Sequence, residues 1–324
     1  MRAVRFHGTG DVRVESVPDP VVDPGEVLLE PLAAGVCGTD LHIVDGEFPA
    51  AAPVILGHEV AGRVVAVGAA VNGLRVGDLV AVQPNVSCGL CASCRLGREH
   101  LCTARRAYGV DLDGGMASLM AVPARFAYLL PPHIDPAIGA LTEPLACCVH
   151  AMDRLAPRSG LPLLVMGCGP AGALLVALAR HLGLHPIVAA DPRPDRRDLA
   201  LRMGADSAVE PSELEPGFAY LIDAVGSAPV LRECLRLAAP GATVLVFGVA
   251  TPSAVLDVRP YEVYAKELTL LGTAVNPFTQ SRAVELLDRL PLARLRVTTY
   301  PLDRALDALD AARRGDVEKV QIAR

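Results

Sequence analysis

Apolar and polar positions alternate in short runs through the first part of the chain, to about residue 150. Val27-Leu-Leu-Glu-Pro-Leu and Ala61-Gly-Arg-Val-Val-Ala-Val-Gly carry this rhythm, and Asp23-Pro-Gly25 and Val76-Gly-Asp78 supply turns. A period of two puts alternate side chains on one face, so this part predicts a small, mostly β domain with irregular loops. Near Gly160 the rhythm changes. Leu161-Pro-Leu-Leu-Val-Met predicts a buried strand and Ala171 to Leu182 an apolar helix; His185-Pro-Ile-Val-Ala-Ala and Pro194 to Met203 repeat the pair. Phe218-Ala-Tyr-Leu-Ile-Asp and Ala242-Thr-Val-Leu-Val-Phe predict further strands, with a helix over Val230 to Ala238. Strands alternating with helices imply an α/β fold whose parallel sheet is covered on both faces. The tail reads as a helix from Ser281 to Leu290, a second from Asp303 to Arg314, and a last strand beginning at Lys319. That strand needs a partner, which the first domain can supply.

The length of 324 residues suits two domains, and 52% apolar residues can fill two cores. A formal charge of −6 argues against a phosphate-binding surface, so no nucleic-acid partner is expected. The uncharged stretch Ser159 to Ala179 is long enough to suggest a membrane span. Glycines and a proline at its centre suit a strand–helix turn instead, so no membrane partner is expected. The opening residues show no charged segment followed by an apolar one, which points to a cytoplasmic protein with reduced thiols.

Cys88-Gly-Leu-Cys91-Ala-Ser-Cys94 and Cys102 place four thiols within fifteen residues. Two intervening residues let neighbouring thiolates face one centre, and soft sulfur ligands favour tetrahedral zinc. Four sulfurs leave no open position, so this zinc is expected to be structural.

Gly167, Gly169 and Gly172 form a G-x-G-x-x-G run that follows the first buried strand and opens a helix, with Pro170 inside it. Asp191 ends the second strand, nineteen residues after Gly172. This context predicts a dinucleotide site: glycines for the turn and for close backbone approach, a helix N-terminus for the pyrophosphate, and Asp191 for the adenosine ribose. The charge on Asp191 opposes a 2′-phosphate and favours NAD over NADP. Arg193, Arg196 and Arg197 are cations close behind it, so Arg196 is also a candidate cofactor contact.

Three further segments complete the candidate chemistry: Cys37-Gly-Thr39-Asp40-Leu-His42, Gly57-His58-Glu59 and Thr142-Glu143-Pro-Leu145. With the four-cysteine loop, the glycine turn and Asp223-Ala-Val-Gly226, the chain resembles the zinc-dependent medium-chain alcohol and polyol dehydrogenases over essentially its whole length. The resemblance implies a discontinuous, GroES-like, β-rich catalytic domain over residues 1–150 and 272–324. It implies a Rossmann domain over 151–271, with a catalytic zinc at the cleft between the two. It implies Cys37, His58 and Glu59 as ligands of that zinc, and Glu143 as an exchangeable ligand or water-holder. Asp40 is expected to orient His58 from behind. Thr39 and His42 are expected to relay the hydroxyl proton to solvent. Two zinc ions per chain and a homodimer or homotetramer follow from the same likeness.

The expected reaction is oxidation of a secondary alcohol, drawn from polyols, diols and cyclitols, to a ketone by hydride transfer. An amino-alcohol (threonine-like) or simple alcohol substrate is the alternative, and a non-catalytic NAD-binding protein the alternative outside this class. Sorbitol dehydrogenases carry an arginine three residues after the glycine matching Gly272, where this chain has Val275, which argues against sorbitol. Phe48 and Tyr108 are candidate walls of a substrate cleft, with a place in the core as the other reading.

Overall fold

The strand Glu26–Gly35 buries alternate side chains along its length, Val27, Leu29 and Ala33 among them, as a half-covered strand must. Around it the computed structural model, which describes residues 1–323, builds the first of two units. This unit comprises Met1–Ala146, Asn276–Asp288 and the chain from Arg296 onward. Its main sheet runs in the order Ala127–Leu129, Leu79–Val82, Glu59–Val67, Glu26–Gly35, Lys319–Ala323 and Val297–Tyr300, with Met120–Pro123 also paired to Glu26–Gly35. The C-terminal strand therefore lies antiparallel beside Glu26–Gly35, as its pattern requires.

One register position brings three chemically distinct residues together. Gly35 pairs with Glu59 on one side and with Gln321 on the other. Directly opposed residues share a face, and Lys319 lies two residues from Gln321 on that same face. Three strands thus bring a carboxylate, a glycine and a lysine side by side.

The second unit comprises Cys147–Val275 and Arg289–Leu295. Its six strands are all parallel, in the order Ser207–Val209, Ile187–Ala190, Leu163–Met166, Phe218–Asp223, Ala238–Val246 and Thr269–Gly272. Numbered along the chain this is 3-2-1-4-5-6, the doubly wound dinucleotide-binding order. Leu163–Met166 buries all four residues, which is why its pattern is a continuous apolar run.

Several boundaries differ from the sequence reading by a few residues, among them the start of the helix Ala305–Arg314 and of the strand Ala238–Val246. The helix expected over Ser281 to Leu290 spans Gln280–Leu286; Pro291 disfavours helical backbone at Leu290 and the chain turns before it. The helix expected to reach Ala238 ends at Leu237, because Ala238 already belongs to the next strand. Among the described residues no helix is long and apolar enough to cross a membrane.

Candidate metal centres and cofactor turn

Cys37 stands where the strand Glu26–Gly35 gives way to the short helix Gly38–Val44. Its amide donates to Asp40 Oδ2 at 2.8 Å, which fixes the fully buried Asp40 under the helix start. Asp40 Oδ1 lies 3.7 Å from His58 Nδ1, and neither atom has a hydrogen-bond partner. His58 enters, and Glu59 begins, the neighbouring strand. One ligand atom each from Cys37, His58 and Glu59 falls within 4.8 Å of the others. A sulfur, an imidazole nitrogen and a carboxylate oxygen form a donor set that zinc accepts while keeping an open position. The electrostatics fit a cation. Burial disfavours charge on His58, yet Asp40 and Cys37 outweigh it and hold its pKa well above the ordinary 6.5.

Glu59 also has a cation of the chain's own beside it. Lys319 Nζ sits 2.5 Å from Glu59 Oε2, both side chains being almost wholly buried, and donates to the Val36 carbonyl at 3.1 Å. Burial opposes the ammonium, but Glu59 and Cys37 reverse that and raise the lysine's pKa. The pair exists because residue 35 is glycine: a Cβ there would lie 1.8 Å from Glu59 Oε2. Lys319 is a site residue that sequence reasoning missed. Its only local signal is a lysine among the apolar residues of a closing strand.

Glu143 lies outside the Cys37–His58–Glu59 cluster. It is buried in the first turn of the helix Thr142–Leu155, where its Oε1 accepts from Asn276 Nδ2 at 3.4 Å. Thr39 Oγ1 is 3.8 Å from Cys37 Sγ. His42 follows one turn later on the same helix, with Nδ1 2.6 Å from Glu47 Oε2 and its side chain partly exposed. Tyr108 is buried in the β core among Val27, Leu29 and Val60, so it is no cleft wall. Phe48 is partly buried against the neighbouring core of Val4, Phe6 and Ile43.

Cys88, Cys91, Cys94 and Cys102 converge as their spacing predicts, and all four thiols are free. A tetrahedron with Zn–S bonds of about 2.3 Å has S···S edges of about 3.8 Å. The Cys88–Cys102, Cys91–Cys94 and Cys88–Cys94 separations of 3.4, 3.5 and 4.0 Å bracket that value. The amides of Leu90 and Cys91 donate to Cys88 Sγ at 3.4 Å each and lower its pKa. Similar backbone donation brings Cys91 down to about 6. Burial and the neighbouring thiols push Cys94 up to about 12, so the loop holds some of its thiols ready as the thiolates zinc takes and others as their donors.

The glycine run follows Leu163–Met166 and opens the helix Pro170–His181, with Gly169 as N-cap and Pro170 at its start. Gly167 adopts φ +95°, and a Cβ on Gly172 would lie 1.9 Å from the Gly167 carbonyl oxygen. Gly169 faces open space, with nothing within 4 Å of an added Cβ. Asp191 is buried and braces this turn, accepting from the Cys168 amide and from the Arg193 amide at 2.9 Å each. Arg196 Nη1 stands 3.8 Å from the same carboxylate.

The alcohol dehydrogenase GroES-like domain family matches residues 23–132, and the zinc-binding dehydrogenase family matches residues 170–290. The chain belongs to the zinc-dependent medium-chain alcohol and polyol dehydrogenases, and it is an NAD(P)-dependent enzyme acting on CH–OH groups. It is 36% identical to D-altritol 5-dehydrogenase of Agrobacterium fabrum over 94% of each chain. It is 36% identical to L-threonine 3-dehydrogenase of Thermococcus kodakarensis over 79% of this chain and 77% of that one. A zinc-binding dehydrogenase structure from Sinorhizobium meliloti 1021, bound to NADP, superposes with a TM-score of 0.96 at 34% identity, covering 100% of this chain and 99% of that one.

The two glycines of the turn should separate in experiment. Gly172→Ala is expected to destabilise the protein by about 1–3 kcal/mol through overpacking. Gly169→Ala should leave the melting temperature in place and weaken dinucleotide binding, read by fluorescence titration; the reverse pattern would exchange their roles. Lys319→Met should destabilise the form stripped of its catalytic metal by about 3–5 kcal/mol, since it strands a buried carboxylate. With zinc restored the loss should shrink, because Glu59 regains a cation. Equal losses in urea denaturation with and without that metal would exclude Glu59 as a ligand.

Proposed function

We propose that this chain oxidises a secondary alcohol to a ketone and passes the hydride to NAD, with a polyol, diol or cyclitol as the substrate class. The convergence of Cys37, His58 and Glu59 beside the Thr39 hydroxyl carries this reading. Bound zinc supplies a Lewis acid that acidifies an alcohol, and bound nicotinamide accepts a hydride. The chain's own residues do the rest. Cys37, His58 and Glu59 hold the metal, Asp40 orients His58, and Glu143 serves as an exchangeable ligand or holds a water. Thr39 Oγ1 accepts the substrate proton while giving up its own. His42 shares a helix face with Thr39 three residues away. Glu47 occupies its Nδ1, so Nε2 is the nitrogen that exchanges the proton, and the pair is open to solvent.

In this reading the first unit is the catalytic domain and the second holds the dinucleotide through Gly167, Gly169, Pro170, Gly172, Asp191 and Arg196. The buried negative charge of Asp191 supports NAD over NADP. Arg196 and the NADP-bound relative favour the second reading. The altritol dehydrogenase supports a polyol, while Val275 in place of an arginine speaks against sorbitol. The threonine dehydrogenase supports an amino alcohol as the other substrate reading. We also propose a cytoplasmic location, because four closely spaced cysteines serve as metal ligands only where thiols stay reduced. We also propose a homodimer or homotetramer. Thr269–Gly272 ends its sheet, and Leu270, Tyr261 and Tyr264 beside it are exposed, which supports pairing with a second copy. Sedimentation as a monomer at micromolar concentration would refute this.

A screen of secondary alcohols, diols, pentitols, hexitols and inositols for NADH release is expected to single out a polyol. Cys37→Ala should keep the fold and the zinc of the four-cysteine loop yet lose turnover; full activity in that variant would overturn the assignment. Higher kcat/KM with NADP than with NAD would overturn the role given to Asp191.

A further inference from the structure

The four-cysteine loop and the glutamate at the start of the helix Thr142–Leu155 are distant in sequence, yet one hydrogen-bond chain connects them, buried at its glutamate end and exposed at its loop end. Its centre is Asn276, which is 1% exposed. Asn276 Nδ2 donates to Glu143 Oε1 at 3.4 Å and to Gln280 Oε1 at 3.3 Å. Asn276 Oδ1 accepts from Asn85 Nδ2 at 2.9 Å, and its carbonyl accepts from Gln83 Nε2 at 3.2 Å. Gln280 is itself pinned by donation to the Val82 carbonyl at 3.3 Å. A buried amide held at both ends cannot rotate without losing several of these bonds, and burial makes each loss costly.

The chain continues towards the zinc loop. Asn85 Oδ1 accepts from Arg105 Nη1 at 2.7 Å. Asn85 precedes Cys88 by three residues and Arg105 follows Cys102 by three. The short pairing of Asn85–Val86 with Arg106–Ala107 closes the base of the loop between them. Whatever fixes the four cysteines therefore fixes both ends of the Arg105–Asn85 bond.

We propose that Asn276 is a positioning residue that aims the Glu143 carboxylate, and that Asn85 and Arg105 tie it to the four-cysteine loop. The proposal rests on the reading of Glu143 as an exchangeable ligand or water-holder at the catalytic metal. It gives the structural zinc a second task. Its four thiolates leave no room for substrate, but by holding the loop base it sets the register of Asn85, then of Asn276, then of Glu143.

The test uses holoenzyme with zinc kept in the four-cysteine loop and cobalt in the Cys37–His58–Glu59 cluster, so that visible absorption reports the geometry around the metal. Asn276→Asp keeps the size of the side chain but replaces its donor with an acceptor that faces Glu143. It is expected to shift the cobalt bands and to lower kcat by about 10–100-fold, as loss of an outer partner does at metal sites, with KM moving less. Asn85→Ala and Arg105→Ala should shift the bands in the same direction by smaller amounts. Glu143→Ala should also shift them, and adding Asn276→Ala to it should cause little further change, because the two residues act as one unit. If Glu143→Ala leaves the bands unmoved, the reading of Glu143 fails and this inference fails with it. If Glu143→Ala shifts them but folded Asn276→Asp does not, or the two effects simply add, only the positioning role is overturned. Should Asn276→Asp fail to fold, Asn85→Ala decides: unchanged bands and kcat overturn the proposal, and a shift supports it.

Discussion

A carboxylate buried between strands must meet a positive charge, and in this protein Glu59 is that carboxylate. Desolvating an unpaired carboxylate costs several kcal/mol, so a fold that buries one must also bring a cation to it. Lys319 meets the requirement at 2.5 Å. The pairing in turn demands that Gly35, on the strand between them, have no side chain. Strand register, the identity of residue 35 and the electrostatics beside Cys37 and His58 are thus one constraint. The same carboxylate stands within reach of the metal donors. In the proposed function that carboxylate has two cations to answer, the fixed lysine and the metal, so it need not be left unmatched when either contact loosens.

The dinucleotide turn follows a similar economy of atoms. Asp191 spends both of its oxygens on backbone amides, one in the glycine run and one beyond its own strand. The residue that reads the cofactor in the proposed function is therefore also the brace that shapes the loop around the phosphates. Changing its charge would alter both at once. Arg196 stands near enough to moderate that charge without replacing either amide.

Much of this was legible in the chain because the determinants are local. The four cysteines fall within fifteen residues, so spacing alone brings them together. The glycine run and Asp191 lie on consecutive strands, and continuous apolar runs such as Leu163–Met166 report a sheet buried on both faces. Cys37, His58 and Glu59 were readable through family likeness and not through spacing, since it is strand pairing that unites them. Lys319, Asn276 and Gln280 were not legible. Each acts on residues more than a hundred positions away, and nothing in its own surroundings distinguishes a buried lysine or amide from a solvated one. Tyr108 allowed two readings, cleft wall or core, and only its packing decides for the core.

The strand that carries Lys319 has a consequence for synthesis. Its ammonium contacts the Val36 carbonyl across 283 positions of chain. During translation the first strands emerge long before this counter-ion exists. Until Lys319 appears, the Glu59 carboxylate has to stay hydrated, because the cation that matches it arrives only with the strand Lys319–Ala323. The sheet can therefore bury that charge only when this strand docks, so completing the sheet and matching its hidden carboxylate are a single event.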